Sequence, residues 1–321
     1  MPLHTVLGAN GTVGRELSHA LTAKGLRLRQ VSRHPQREFP SDVVVVADLT
    51  HAASTAAIAG SAVVYLVAGV SYSTAAWRAE WPLIMANVIH GCERSGAALV
   101  FFENVYAYGA ITGAMTEETP FNPCSHKGEV RALIAKTLLD AMRSERVNAM
   151  IVRSPDFYYP SYAGRTTSIL NAIVFDRLRA GKAPQWLGNP DASHSFSYTP
   201  DLGRSLALLG TTAAAFGQTW HALTTPEPHS GRDLVRLAAE IAGGIGNSIG
   251  VGRVSGERTA RSRTPRGPAG ARRPDLRPPS RLGGRLDGGF RRRPVAAGAD
   301  RTPRWDGRAR RTSPHVGGAS G

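Results

Sequence analysis

The amino-acid sequence predicts an α/β fold, a doubly wound parallel sheet with helices on both faces. Short apolar segments alternate with amphipathic ones from residue 4 to residue 102, which is typical of strands joined by crossover helices. One segment, residues 43–46, is apolar throughout, as expected for a strand that is covered on both faces. A ligand of such a sheet lies outside the carboxyl ends of its strands.

The predicted elements follow from the hydrophobic period and from the residues that start and stop helices. In the first half we expect strands at residues 4–7, 26–31, 43–46, 62–68 and 98–102 and helices at 13–24, 54–58 and 81–95. In the second half we expect a helix at 168–180 with Ile169, Ile173 and Leu178 on its apolar face, a strand at 196–198, a helix capped by Thr199, a strand at 220–223 and a helix from 230 to 241.

A glycine turn directly follows the first predicted strand, with the spacing Gly-x-x-Gly-x-x-Gly over residues 8–14. Glycines permit a sharp turn and a close approach of a pyrophosphate, and the N-terminus of the next helix favours an anion. The spacing differs from the usual Gly-x-Gly-x-x-Gly fingerprint, and a purely structural turn is the alternative. The context of strand, turn and helix predicts a dinucleotide site. Its expected binding residues are Gly8, Asn10, Gly11, Thr12, Val13 and Gly14.

The end of the second predicted strand favours NADP over NAD. Folds of this kind often have an acidic residue there for the ribose hydroxyls, whereas this chain has Ser32 and Arg33, with Arg37 close behind. A guanidinium can pair with a 2′-phosphate; a solvated basic loop is the alternative. The further predicted cofactor residues are Asp48 and Leu49, near an adenine, and Ala68 and Gly69, whose small size lets a nicotinamide ribose pass.

Several further motifs occur in a characteristic order, and they carry a family resemblance. They are Ala47-Asp48-Leu49, Asn87, Tyr108-Gly109, Val152-Arg153-Ser154 followed by an aromatic pair and Pro160, and the stretch from His194 to Asp201. With the glycine turn, they resemble the extended short-chain dehydrogenase/reductase superfamily, commonly called the NAD-dependent epimerase/dehydratase family, over about residues 3–244. The resemblance implies a Rossmann-type NAD(P)-binding domain at residues 1–155 and a substrate-binding region at residues 156–250.

The chain departs from that family at the residues that carry its chemistry. The family has a Ser or Thr four residues before the Tyr-Gly pair, and a Tyr-x-x-x-Lys pair about twenty residues further on. Here Asn104 stands at the first position, and Lys127 and Arg131 replace the pair. No Tyr-x-x-x-Lys occurs anywhere in the sequence. The chain is thus similar to the atypical branch of the superfamily, which binds the dinucleotide without this pair.

The replacement residues leave several roles open. A desolvated Lys127 beside Arg131 could act as a general acid/base, either residue could hold ribose or phosphate, and both could lie on a solvated helix face. Asn104 could bind a substrate carbonyl or close the turn after the fifth strand. The substitute acids are Tyr106, Tyr108, Tyr158 and Tyr159, although aromatic residues beside a cleft are more often walls than catalysts.

Two functions follow from this combination of a cofactor site and an unusual active site. The first is a redox or epimerase/dehydratase-like reaction on a small polar carbonyl or hydroxyl substrate, with hydride transfer at the nicotinamide beside Asn104 and Lys127. The second is a non-catalytic NADP-binding sensor or regulator of the same fold. The oligomeric state stays open, with a homodimer as one alternative.

The basic charge of the chain is concentrated at its C-terminal end. The net charge is +15, but residues 251–321 carry +13 of it, with 18 Arg, no Lys and five acidic residues. We therefore expect no nucleic-acid footprint on the folded domain. The segment lacks an apolar pattern, so we expect it to be disordered. A tail that binds RNA, DNA or an acidic membrane surface is one alternative. A frameshift near codons 244–252, which would leave the substrate-binding region incomplete, is another.

The remaining composition points to a protein of the cytoplasm. Two cysteines, Cys92 and Cys124, have no metal-ligand spacing and suit a reducing compartment, so no metal is expected. The N-terminus enters a strand without the pattern of a secretory signal. The longest apolar stretch, residues 62–70, is far shorter than the ~20 residues that span a bilayer, so no membrane is expected.

Overall fold

The computed structural model describes residues 1–159, 168–225 and 229–241. The end of the predicted substrate-binding region and the whole predicted tail lie outside these residues. The strands are β1 (Leu3–Leu7), β2 (Arg27–Ser32), β3 (Val43–Val46), β4 (Val63–Leu66), β5 (Ala98–Asn104), β6 (Ala149–Ser154), β7 (Asp156–Tyr158), β8 (Ser193–His194), β9 (Phe196–Tyr198), β10 (Thr219–His221) and β11 (His229–Ser230). The α-helices are α1 (Thr12–Ala23), α2 (Thr74–Ser95), α3 (His126–Arg143), α4 (Asp176–Arg179), α5 (Thr199–Gly210) and α6 (Gly231–Ile241).

A seven-stranded parallel sheet in the order β10-β6-β5-β4-β1-β2-β3 forms the centre of the structure. The predicted fold class, a doubly wound Rossmann-type sheet, is confirmed. The order starts at the middle with β1 and runs outward in both directions, so the topology changes direction between β1 and β4. The glycine turn follows β1 at this point, where ligands of open α/β sheets bind.

Two hydrophobic cores cover the two faces of the sheet, as the alternation of side chains along each strand requires. Leu7, Leu66 and Phe101 point to the core beneath α2 and α3. Their neighbours Val6 and Tyr65 point to the opposite core, beneath α1 and α5. The apolar β4 therefore supplies both cores, which explains why its sequence shows no alternation of polar residues.

A third, smaller core lies in the second half of the chain and joins α4 and α6 to Trp186 and Phe196. Here the predicted helix face needs correction. The buried residues are Leu170, Val174 and Leu178, whereas Ile169 and Ile173 are only half-buried. The cause is a π-helical turn at Asn171–Phe175, which spaces the buried residues four apart and shifts the apolar face by one residue.

Two helix starts also differ from the predictions. Helix α2 begins at Thr74 rather than near Trp81, because the Ser73 hydroxyl caps it by accepting a hydrogen bond from Ala76 N at 3.1 Å. Helix α5 begins at Thr199, so the predicted cap is its first residue and Tyr198 holds the cap position without a side-chain bond. The predicted capping box of α6 is present, since Ser230 Oγ accepts from Asp233 N at 3.1 Å.

Candidate functional site

A cavity of about 810 Å³ opens at the carboxyl ends of β1 to β6. We call the wall formed by the glycine turn and by residues 32–33, 47–50 and 67–70 the turn side. We call the wall formed by lining residues of the ranges 72–84, 102–106, 154–157 and 168–187, together with Arg131, the aromatic side. One continuous cavity thus joins a region of bare backbone to a region of large side chains.

The glycine turn is held so tightly that side chains do not fit at two of its glycines. Gly8 has a φ of 93°, and its N–H donates to Val31 O at 2.8 Å. A Cβ at Gly8 would lie 2.4 Å from Ala68 Cα, and one at Gly14 would lie 2.5 Å from Gly8 O. Because these positions are bare, the backbone N–H groups at the start of α1 border the cavity directly.

Most of the predicted cofactor residues meet at this cavity. The lining residues include Gly8, Asn10, Gly11, Thr12, Val13, Ser32, Arg33, Asp48, Leu49, Ala68 and Gly69. Gly14 and Lys127 are not among them. Gly14 is buried beneath the turn, and its part is to let α1 pack close to the first glycine. The structure therefore brings together residues that lie far apart in the sequence.

Two side chains of the turn side hold the loops that border it. Asn10 Nδ2 donates to His34 O, and Asn10 Oδ1 accepts from Gln36 N at 3.1 Å, so Asn10 fixes the loop that follows Arg33. Asp48 accepts from Thr50 N at 2.9 Å and from Thr50 Oγ1 at 2.7 Å. These hydrogen bonds, with smaller contributions from His51 and Arg33, lower the pKa of Asp48. A carboxylate from the end of β3 thus lies close to the arginine at the end of β2.

The predicted catalytic residues are less closely grouped. Asn104 ends β5 and lines the cavity, and its Oδ1 accepts from Tyr106 N at 3.0 Å, which closes the turn after the strand. Lys127 is half-buried in the first turn of α3, with Nζ 3.9 Å from the centroid of the Tyr72 ring. Tyr108 is fully buried and is not a lining residue. Of these three, only Asn104 borders the cavity directly.

Arg131 lines the aromatic side as half of a buried ion pair. Its Nε lies 3.3 Å from Glu103 Oε1, and the two side chains are only 9% and 0% exposed. Its guanidinium carbon lies 4.1 Å from the centroid of the Trp81 ring and 4.8 Å from that of Trp77. Burial raises the pKa of Glu103, and the charges of Arg131 and Arg153 oppose that rise. Burial also lowers the pKa of Arg131, and the charge of Glu103 opposes that change.

Aromatic rings surround this ion pair. Tyr106 stacks on Trp77 with ring centroids 6.1 Å apart, and Tyr72 contacts Trp77 edge-on at 5.7 Å. The Tyr72 and Tyr106 hydroxyls are 3.2 Å apart. Burial, with a smaller contribution from the charge of Asp156, raises the pKa of Tyr106. Tyr106 therefore stays protonated at neutral pH and can act as a hydrogen-bond donor.

Tyr108 belongs to a separate buried network behind the site. Arg153 Nη1 donates to the Tyr108 hydroxyl at 2.8 Å, and this hydroxyl lies 2.7 Å from His221 Nε2. His221 N in turn donates to Glu117 Oε1 at 2.8 Å. Burial lowers the pKa of His221 and raises that of Tyr108. This network ties β10 to β6 and to the loop before α3.

Asp156 is a lining residue that the sequence did not single out. It begins β7, and its Oδ2 lies 3.1 Å from His194 Nε2. The His194 ring stacks on Phe196 with centroids 4.5 Å apart. The sequence also did not single out Glu103, Trp77 and Trp81. An acidic residue directly after four apolar strand residues was the available signal for Glu103, because a buried carboxylate needs a partner.

Comparisons with known proteins give the family. The profile of the "NAD dependent epimerase/dehydratase family" matches residues 4–220, about two thirds of the chain. The chain belongs to the NAD dependent epimerase/dehydratase family. This match confirms the resemblance that the motifs indicated. The comparison with curated proteins found no match.

Solved structures share the fold of this family member at low sequence identity. A dTDP-glucose 4,6-dehydratase from Streptomyces venezuelae with NAD bound is 18% identical, with a TM-score of 0.66 over 76% of this chain and 81% of that one. A UDP-glucose 4-epimerase from Thermus thermophilus in complex with NAD is 20% identical, with a TM-score of 0.64 over 75% and 83%. A UDP-glucuronic acid 4-epimerase from Bacillus cereus in complex with NAD is 16% identical, with a TM-score of 0.67 over 78% and 87%.

The described part of the chain shows neither a membrane-spanning helix nor a cluster of metal ligands. None of its helices has the length and apolar character needed to cross a membrane. Within the same residues, no group of three or more His, Cys, Asp or Glu side chains is arranged to hold a metal ion. Cys92 is buried and Cys124 exposed, and both are free thiols.

We expect Glu103→Gln to lower the free energy of unfolding by about 3–5 kcal/mol, because it leaves a buried guanidinium without its counter-charge. The measurement is urea unfolding at pH 7 with the slope of the transition unchanged. The matched control is Glu93→Gln, which removes an exposed ion pair with Arg146 and should cost far less, because solvent screens exposed charges. Equal costs for the two variants would show that the Glu103–Arg131 pair is not ionised in the folded protein.

Proposed function

We propose that the cavity binds a nicotinamide dinucleotide along its turn side and carries out hydride transfer with a carbonyl or hydroxyl substrate on its aromatic side. The observation that carries this proposal is the single continuous cavity that runs from the glycine turn to Asn104 and Arg131. When bound, the cofactor supplies the hydride donor or acceptor. Membership of the family supports the proposal, and so do the solved relatives whose titles name NAD.

The residues of the turn side fit such a cofactor. The backbone at Gly8, Gly11 and Gly14 leaves no side chain between the N-terminus of α1 and the cavity. This arrangement suits a pyrophosphate, because the backbone N–H groups of a first helical turn and the helix dipole favour an anion. Ala68 and Gly69, at the end of β4, keep the passage to the aromatic side free of bulk.

NADP stays our prediction for the preferred dinucleotide. Ser32 and Arg33 both line the cavity at the end of β2, where a guanidinium can pair with a 2′-phosphate. The nearby carboxylate of Asp48 offers the opposite preference, since it could accept hydrogen bonds from the free ribose hydroxyls of NAD. The solved relatives described above have NAD in their titles. The choice thus depends on which of these two side chains faces the ribose.

On the aromatic side, we assign the substrate oxygen to Asn104 and Arg131. A guanidinium is permanently charged and has no proton to give up near neutrality, so Arg131 holds and polarises this oxygen. Tyr106 is a protonated hydroxyl on the same wall and is our choice for the proton donor. Lys127 acts on this proton donor indirectly. Its ammonium contacts the Tyr72 ring, and the Tyr72 hydroxyl lies beside that of Tyr106. Tyr108 positions β6 and β10 rather than the substrate.

The experiment that tests catalysis is single-turnover spectroscopy of bound NADPH at the nicotinamide absorbance with a panel of carbonyl compounds. We expect oxidation with at least one class of carbonyl compound. For the responsive compound, Arg131→Lys should slow the reaction by about 10²–10³-fold at an unchanged dissociation constant for NADPH, because lysine keeps the charge and loses the planar fork. Arg143→Lys, the matched control at an exposed arginine of the same helix, should stay close to the unaltered rate.

The second function, a non-catalytic dinucleotide sensor, is favoured by the absence of the Tyr-x-x-x-Lys pair. It predicts tight NADPH binding and no oxidation with any carbonyl compound of the panel. That result would contradict the proposed hydride transfer and leave the binding proposal intact. A rate that Arg131→Lys leaves unchanged would instead remove Arg131 from the reaction.

We expect Arg33→Ala to raise the dissociation constant for NADPH by about 10- to 100-fold, since a hydrogen bond to a charged group contributes about 1.5–3 kcal/mol. The dissociation constant for NADH should change little, because NADH lacks the 2′-phosphate. Nicotinamide fluorescence measures both constants. Arg37→Ala is the control, because Arg37 donates to Pro40 O and does not line the cavity. Tighter binding of NADH by the unaltered protein would show that Asp48 sets the preference.

A further inference from the structure

We propose that the aromatic side takes a neutral or cationic compound with an aromatic or otherwise apolar body, and that its described lining residues do not hold the diphosphate of a sugar nucleotide. This inference rests on the proposed function, because it names the substrate class of the same site. It replaces the small polar substrate that we predicted from the sequence. Three features of the wall carry it: its charge, its rings and its unpaired donors.

The first feature is the negative charge of the aromatic side. Its described lining residues include the carboxylates Glu80, Glu103 and Asp156 and a single cation, Arg131, which is paired with Glu103. The wall therefore has a formal net charge of −2 at neutral pH. The ammonium of Lys127 lies behind Tyr72 and offsets one of these charges. Within the described residues, the ion-pair partner of Asp156 is the imidazole of His194.

The negative charges of a diphosphate are repelled by such a wall. The solved relatives described above are named for dTDP- and UDP-linked sugars, and each of these compounds carries two ionised phosphates. Binding them requires cations or a row of free N–H donors. The aromatic side instead places Asp156 and Glu80 at the cavity, and like charges brought together at a binding surface repel each other.

The second feature is the density of aromatic rings. Trp77, Trp81, Tyr72 and Tyr106 all line the wall, and Phe157 joins them at the far end. Two cations already lie over rings of this group, Arg131 over Trp81 and Lys127 over Tyr72. These contacts show that the ring faces are placed to attract positive charge. An apolar ligand body gains burial against the same surface.

The third feature is a set of buried donors without partners in the described part of the chain. The indole N–H groups of Trp77 and Trp81 and Nη1 of Arg131 have no hydrogen-bond partner there. All three belong to lining residues. Buried donors need acceptors, because an unpaired donor has lost its hydrogen bonds to water without replacing them. A carbonyl oxygen on the substrate is an acceptor that adds no negative charge to the wall.

The test compares aldehydes that share one benzene ring and differ in the charge of the substituent at position 4. The probes are 4-methylbenzaldehyde, the 4-trimethylammonio and 4-carboxy analogues of the same aldehyde, and UDP-glucose. Binding to the full chain is measured by saturation-transfer NMR with and without NADP. We expect binding of the neutral and cationic aldehydes and loss of binding for the carboxylate and for UDP-glucose. Glu80→Gln/Asp156→Asn should raise the affinity for the carboxylate probe by about tenfold or more.

The control is Asp140→Asn, an exposed acid on α3 whose replacement should leave the affinities for all four probes unchanged. If UDP-glucose or the carboxylate binds more tightly than the neutral aldehyde, the proposal is wrong. It is also wrong if NADP binds and none of the three aldehydes does. NADPH fluorescence on the same preparation separates the two proposals, since a protein that fails to bind NADPH contradicts the cofactor proposal whatever the order of the aldehydes.

Discussion

The close approach of two backbones at the carboxyl edge of the sheet is the constraint on which the rest of the site depends. The turn after β1 lies so near the end of β4 that an added Cβ at Gly8 would almost touch Ala68 Cα. The positive φ of Gly8 directs the chain into α1, and the bare position at Gly14 lets that helix start directly below it. The turn side of the cavity is open because no side chain fills this corner.

A second constraint acts at the other end of the cavity. Where the family resemblance implies a tyrosine and a lysine, this chain has Lys127 and Arg131, and Arg131 is committed to a buried pair with Glu103 between two indole rings. A guanidinium in that position can orient an oxygen but cannot exchange a proton near neutrality. In the function that we propose, cofactor binding and proton transfer are thus assigned to different parts of the site, and the proton comes from another group on the aromatic wall.

Much of the fold follows from local sequence, because strands and helices differ in their hydrophobic period and the turn after β1 is marked by its glycines. The runs at residues 4–7 and 43–46 form strands as predicted. The cover expected on both faces of residues 43–46 was wrong, because β3 is an edge strand and Val43 and Val46 are exposed. Two other failures are local in cause. A serine cap starts α2 earlier than expected, and a π-helical turn shifts an apolar face by one residue. The hydrophobic period of the sequence reveals neither the serine cap nor the π-helical turn.

Nearly all of the turn side was predicted from the sequence, whereas on the aromatic side only Asn104, Tyr106 and Arg131 were. The turn side is built from short segments that each follow a strand. Because ligands of parallel sheets bind at the carboxyl ends of the strands, these segments could be assigned to one site from the sequence. The aromatic side depends on pairs far apart in the sequence, such as Glu103 with Arg131 and Asp156 with His194. Spacing does not reveal such pairs, because they form only when β5, α3 and the second half of the chain pack together.

The most direct test of the central claim, that the turn side binds a nicotinamide dinucleotide, is the thermal unfolding of the full chain with NADP, with NAD and without either. A ligand that binds only the folded state stabilises it by about 2.7 kcal/mol at a concentration one hundred times its dissociation constant. We predict a rise in Tm that grows with ligand concentration and is larger for NADP than for NAD. An unchanged Tm with both dinucleotides would contradict the claim.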